Sequence, residues 1–193
     1  MPGLLGKKLL FFDVETTGLT ESNGIWSLSG IYEKDGKVID LFHQEVAPFD
    51  DDVFDPEALA MSGRTKEDLL ALPPPREILT KLLAFFAKHI NKFDPQDKFT
   101  MVAYNAQFDD MMMRSWFKKL GEGYYGSWFH GYRVCLYNYV LWLAHEGKIT
   151  LPKYKQEVVC AHFGINYVAH RSDQDVVAER KLYHLLRKRF PSA

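Results

Sequence analysis

The order of apolar and polar positions divides the chain into an early region of strands and a later region where strands and helices take turns. Residues 9–14 are a short apolar run with β character, the pattern of a buried strand. Residues 25–33 form a second such run. Asp35-Gly36 follows, a pair suited to the positive backbone angles of a tight hairpin turn. Residues 37–46 then read as a third strand, antiparallel to the second. The character changes at residues 56–61, one helical turn, and at Thr65-Lys66-Glu67-Asp68, a second turn with a Thr cap. Pro73-Pro74-Pro75 interrupts the chain and launches a long amphipathic helix. Its apolar residues Ile78, Leu82, Phe85, Phe86 and Ile90 recur at helical spacing. Residues 99–104 are a fourth strand and 109–120 a helix. A Gly- and Tyr-rich loop at 121–126 precedes a fifth strand within 128–135. Helices at about 137–146, 153–163 and 172–190 complete the pattern. There is no internal repeat, low-complexity tract or linker. Strands first, then strands alternating with helices, predict one α/β domain with a mixed sheet over residues 1–193.

Composition narrows the class. The 193 residues suffice for one domain with a substantial core, and 47% of them are hydrophobic. No apolar run approaches the roughly 20 residues of a membrane span. The basic pair Lys7-Lys8 precedes an apolar stretch too short for a signal peptide, so the cytoplasm is the expected location. Cys135 and Cys160 lack metal-ligand spacing and read as reduced core thiols. A formal net charge of −1 argues against a protein that coats nucleic acid by charge alone, though not against an enzyme that grips a chain end. The acidic run Asp50-Asp51-Asp52 reads as solvated surface. The basic C-terminus (Lys181, Arg187, Lys188, Arg189) reads as surface too, or as a guide for backbone phosphates.

Three places carry candidate chemistry. Asp13 and Glu15 end the first strand one residue apart, so both face one side, roughly 6.6–7 Å apart along it. The preceding residues on that face, Leu9 and Phe11, are apolar. Two like charges there are costly unless a cation lies between them, and Mg²⁺ takes oxygen ligands. The alternative is a strand end facing solvent. Asp109 follows the fourth strand in a polar loop that opens a helix. It is either a helix cap, a role open to Asp110 as well, or a ligand beside Asp13 if the two strands are neighbours. Asp175 lies on the inward stripe of the last helix with Ala178 and Leu182, whereas Asp173 falls nearer the polar side. Ser172 and Asp175 are also spaced as a capping box. His170 stands just before this helix, and histidine is the residue type suited to take a proton from water at neutral pH.

Together these segments resemble the DEDD (DnaQ-like) exonuclease family, in its histidine subgroup. The chain carries DVETTG at Asp13–Gly18, NAQFD at Asn105–Asp109 and a His-x4-Asp pair at His170–Asp175, in the family's order. FDPEALAMSG (residues 54–63) and LPKYKQEVVCAHFGI (residues 151–165) resemble its intervening segments. Ser62, Val134-Cys135 and Arg171 to Gln174 depart from the usual residues, and Arg171 and Ser172 stand where the tyrosine subgroup carries its Tyr. The resemblance implies a ribonuclease H-like fold, a mixed five-stranded sheet flanked by helices. It implies a 3′→5′ exonuclease that releases nucleoside 5′-monophosphates with two divalent ions, Mg²⁺ or Mn²⁺. Asp13 would serve both ions, Glu15 and Asp175 the ion that holds the water, and Asp109 the other. His170 would be the general base. Thr16, Thr17 and Gly18 would contact the terminal 3′-OH and sugar, Asn105 would bind substrate, and Met61 and Phe108 would pack on the base or ribose. Phe108 reads equally as core. The expected partner is a nucleic-acid 3′ end, DNA favoured over RNA by the Thr-Thr-Gly after Asp-x-Glu. RNA trimming of the oligoribonuclease kind and a non-catalytic binding module are the alternatives. No membrane is expected, and no protein partner such as a polymerase is indicated.

Overall fold

Apolar side chains on both faces of residues 9–14 suit a strand covered from two sides, and this strand lies at the middle of the sheet. The architecture is that of a computed structural model describing residues 8–191. Lys7 and the residues before it lie outside the described residues; the apolar stretch after Lys8, read above as too short for a signal, is part of β1. Five strands form the sheet: β1 (Lys8–Thr16), β2 (Ile25–Lys34), β3 (Lys37–Glu45), β4 (Phe99–Ala103) and β5 (Phe129–Cys135), in the order β3-β2-β1-β4-β5. β1–β2 and β2–β3 are antiparallel; β1–β4 and β4–β5 are parallel. The mixed sheet is therefore as expected. The β2–β3 hairpin turns at Asp35 and Gly36, both with positive φ.

Alternation along β1 feeds two cores. Leu10, Phe12 and Val14 point to one face, where they pack with α3 (Pro75–His89), α4 (Ala106–Lys119) and α5 (Tyr125–Trp128). Leu9 and Phe11 point to the other, where α6 (Leu136–His145), α7 (Gln156–His162) and α8 (Ser172–Arg189) cover them. Phe11 and Phe12 are fully buried, and burying each such side chain stabilises the fold by about 1.5–3 kcal/mol. α1 (Pro56–Ser62) is capped by Asp55 and ends at Gly63 in the left-handed conformation. α2 (Lys66–Leu70) carries the full Thr65–Asp68 capping box.

Four expectations need correction. α4 begins at Ala106, three residues early, so Asp109 lies inside its first turn and caps nothing. The 121–126 loop gives way to α5, whose Tyr125 and Trp128 are buried anchors that the surrounding glycines obscured. α7 is shorter than expected. Asp52 is not solvated surface: it is buried, accepts the Phe49 N–H at 2.8 Å and pairs with Lys119, while Asp50 and Asp51 are exposed. Cys135 and Cys160 are buried free thiols. Among the described residues no helix is long and apolar enough to cross a membrane.

Candidate active site

Asp13 and Glu15 continue the face of β1 that carries Leu9 and Phe11. The β4 partner reaches only as far as Phe11, through the pairs Leu9–Thr100, Leu10–Met101 and Phe11–Val102. Beyond Phe11 the two parallel strands part at their carboxyl ends, the usual place for a ligand in an α/β sheet. α4 starts in this opening. Its Asp109 is buried and accepts the Val14 N–H at 3.3 Å through Oδ1. Strand adjacency thus brings Asp109 to the end of β1.

The third segment is fixed by hydroxyls. Ser172, the first residue of α8, is buried and shares hydrogen bonds with the Ser27 and Ser29 hydroxyls of β2 at 2.7 and 2.8 Å. The Ser29 hydroxyl also pairs with His43 Nδ1 at 2.8 Å. The expected Ser172 cap is thereby corrected: Arg171 is the N-cap residue, and Ser172 turns its hydroxyl into the sheet. Asp175 accepts the Arg171 N–H at 2.8 Å through Oδ2 and the Gln156 amide at 3.2 Å through Oδ1. Asp173 stays nearer solvent and pairs with Arg171.

One carboxylate oxygen from each of Asp13, Glu15 and Asp175 lies within 4.8 Å of the other two. These residues line a cleft of about 290 Å³ with Asn105, Phe108, Asp109, Gln156, Tyr167, His170 and Glu179. Burial, then the charges of Glu179, Asp109, Asp175 and Glu15, push the Asp13 carboxyl well above the usual range. Burial and the charges of Asp175 and Asp173 push Glu15 up to about 7. Burial pushes Asp109 up to about 8 against the opposing Val14 hydrogen bond. Asp175 is also raised by burial, with the Arg171 N–H and the neighbouring His170 opposing. Convergent oxygen donors whose negative charge is poorly compensated suit a hard divalent cation such as Mg²⁺ or Mn²⁺. The donor set thus fits the implied metal.

His170 is exposed and has φ of 63°, a left-handed conformation that histidine tolerates better than most residues. It lines both the acidic cleft and an adjoining groove of about 400 Å³ that includes Trp26, Arg64 and Arg171.

Of the expected substrate contacts, Asn105 and Phe108 line the cleft; Thr16, Thr17, Gly18 and Met61 do not. The Thr17 hydroxyl donates to Val53 O at 2.7 Å and accepts the Gly24 N–H at 2.8 Å, so it pins the turn after β1. The Thr16 hydroxyl donates to Gly18 O at 2.6 Å. A Cβ on Gly18 would meet Asn23 at 2.3 Å, so glycine permits this close packing. Met61 is 58% exposed on α1. Sequence reasoning passed over Gln156, Tyr167 and Glu179. Glu179 had a signal, its four-residue spacing from the inward Asp175. Gln156 and Tyr167 had none until the fold joined their segments to the cleft. Burial and the Asp175 charge push the Tyr167 hydroxyl above its ordinary range.

Residues 10–183 match the family model described as exonuclease, of the RNase T type. Over 171 residues the chain is 27% identical to the PolC-type DNA polymerase III of Halalkalibacterium halodurans, covering 86% of this chain and 10% of that protein. The fold is similar to E. coli exonuclease I solved with a dT13 oligonucleotide, with a TM-score of 0.79 and 21% identity, over 96% of this chain and 42% of that one. It is also similar to a product-bound exonuclease I structure, with a TM-score of 0.76 and 20% identity, over 94% and 43% of the two chains. This chain therefore spans about a tenth of the polymerase and under half of exonuclease I.

Proposed function

The chain belongs to the DEDD (DnaQ-like) exonuclease family, and from that premise we propose that it removes nucleoside 5′-monophosphates stepwise from the 3′ end of DNA. The observation that carries this reading is the convergence of Asp13, Glu15 and Asp175 oxygens within 4.8 Å, in a cleft that also holds Asp109 and His170. Asp13, Glu15 and Asp175 would hold one divalent ion, and Asp13 with Asp109 a second. Such ions, when bound, polarise the scissile phosphate and make the attacking water more acidic.

The protein's own groups do the rest. The Gln156 amide and the Arg171 N–H hold Asp175 in place through one oxygen each. The Val14 N–H does the same for Asp109. His170, at the cleft's edge, takes the proton of the water as its oxygen attacks phosphorus. The P–O3′ bond breaks, and the leaving O3′ takes a proton from solvent water to become the new 3′-OH, while His170 returns its proton to solvent. Asn105 and Phe108 line the cleft where the terminal nucleotide would sit, and a ring stacked on a base accepts any sequence. DNA is favoured by the Thr16-Thr17-Gly18 run after Glu15, and by similarity to a DNA polymerase and to a nuclease solved with dT13.

Matched DNA and RNA oligonucleotides, labelled at the 5′ end and incubated with Mg²⁺ or Mn²⁺, test the reading. A ladder of DNA products shortened one nucleotide at a time from the 3′ end, silenced reversibly by EDTA, is the expected result. Faster shortening of RNA would replace the DNA preference. No shortening of either would favour a binding module.

A further inference from the structure

Glu179 lies on α8, four residues beyond Asp175, so the two carboxylates share one helix face. It is fully buried. Its Oε1 accepts the Tyr104 N–H at 2.6 Å, just after β4 ends. Its Oε2 is shielded from solvent and has no hydrogen-bond partner among the described residues. Leaving such a group unsatisfied is costly, and more so if it is charged.

The surroundings indicate what this oxygen faces. Glu179 lines the cleft with Asp13, Asp109 and Asp175. The charge of Glu179 acts on Asp13 together with those of Asp109, Asp175 and Glu15. The bond to Tyr104 sets Glu179 beside the end of β4, the strand that leads into α4 and Asp109, and its oxygens are not among those that converge in the triad of Asp13, Glu15 and Asp175. One oxygen is anchored to the backbone at the end of β4. The other is free, buried and surrounded by acids, an arrangement a cation would relieve.

We propose that Glu179 is a fifth carboxylate of the metal centre, completing the donor set of the second ion beside Asp13 and Asp109, directly or through one water. This rests on the two-ion reading above. The Tyr104 hydrogen bond orients the side chain, leaving Oε2 for the ion.

Calorimetric titration with Mn²⁺ in the presence of thymidine 5′-monophosphate tests it, on the wild type and on Glu179→Gln. The glutamine keeps an oxygen for the Tyr104 N–H and loses the charge. The wild type is expected to bind two ions. Glu179→Gln should keep one at near wild-type affinity and bind the other at least tenfold more weakly, with an unfolding temperature in EDTA no lower than that of the wild type. Glu179→Met, which removes the oxygens altogether, serves as a second variant with the same expectation for ion binding. Unchanged affinity for every ion in a folded variant would overturn the proposal and leave the two-ion reading standing. A wild type that binds no Mn²⁺ would overturn both.

Discussion

The Val14 N–H donates to Oδ1 of Asp109 across 3.3 Å, joining the end of β1 to the first turn of α4 over 95 positions of sequence. Asp109 thus closes the gap where β1 and β4 part, and its charge is available to the cleft. The two roles separate by mutation. Asp109→Asn keeps an acceptor for Val14 and removes a buried charge. It should lower activity by at least about 10²-fold, the scale of losing one electrostatic contributor to catalysis. Its unfolding temperature in EDTA should equal or exceed that of the wild type. Asp109→Ala also leaves the Val14 N–H unpaired, at a cost of about 1–3 kcal/mol. Since about 1 kcal/mol shifts the unfolding temperature of a chain this size by about 2–4 °C, thermal denaturation in EDTA should rank Ala below Asn. Equal temperatures for the two variants would deny Asp109 its structural role.

Without divalent ions, the fold should lose stability as the pH rises. Glu15 moves from 4.5 to about 7 and Asp109 from 3.8 to about 8, both chiefly through burial. A carboxyl raised in the folded state favours folding while protonated. That contribution is complete below about pH 4 and is lost as the pH climbs through about 7 to 8. Ion binding must displace these protons, so stabilisation by Mg²⁺ should grow over the same window. Unfolding temperatures measured in EDTA and in Mg²⁺ from pH 5 to 8 should diverge; parallel curves would contradict the shared-cation account.

His170→Ala should slow hydrolysis by roughly 10²–10⁴-fold, the usual contribution of a general base, while leaving Mn²⁺ affinity unchanged. The backbone of His170 hydrogen-bonds Asp175, but its side chain is exposed on a left-handed residue, so the fold does not depend on its ring. Single-turnover rates on a 5′-labelled oligonucleotide check this, and a near-normal rate would remove the assignment.

Much of the site was legible because its parts obey local rules. Period-two alternation placed Asp13 and Glu15 on one face of β1, and period-3.6 spacing turned Asp175 inward. Helix α5 and the start of α4 were less legible, because Gly-rich and polar stretches there hide elements held by tertiary contacts. Ser172 illustrates the limit. A serine before a helix with an acid three residues on is a cap by local logic, yet the Ser27 and Ser29 hydroxyls across the sheet claim it. Thr17 likewise looks available for substrate until Val53 and Gly24 occupy its hydroxyl.

Asp52 was misread for the same reason, since nothing local in an Asp50-Asp51-Asp52 run reveals a partner 67 residues away. Its pairing with Lys119 and its bond from the Phe49 N–H tie the loop before α1 to the end of α4. Asp52→Ala leaves these donors unpaired and should cost about 1–3 kcal/mol. Urea denaturation checks this; a variant as stable as the wild type would return Asp52 to the solvated surface.

Anomalous scattering from crystals grown with Mn²⁺ and thymidine 5′-monophosphate addresses the cleft most directly. The account predicts manganese peaks among the carboxylates of Asp13, Glu15, Asp175 and Asp109, with the nucleotide's phosphate beside them. A cleft without manganese, in a protein that still shortens DNA in EDTA, would contradict it.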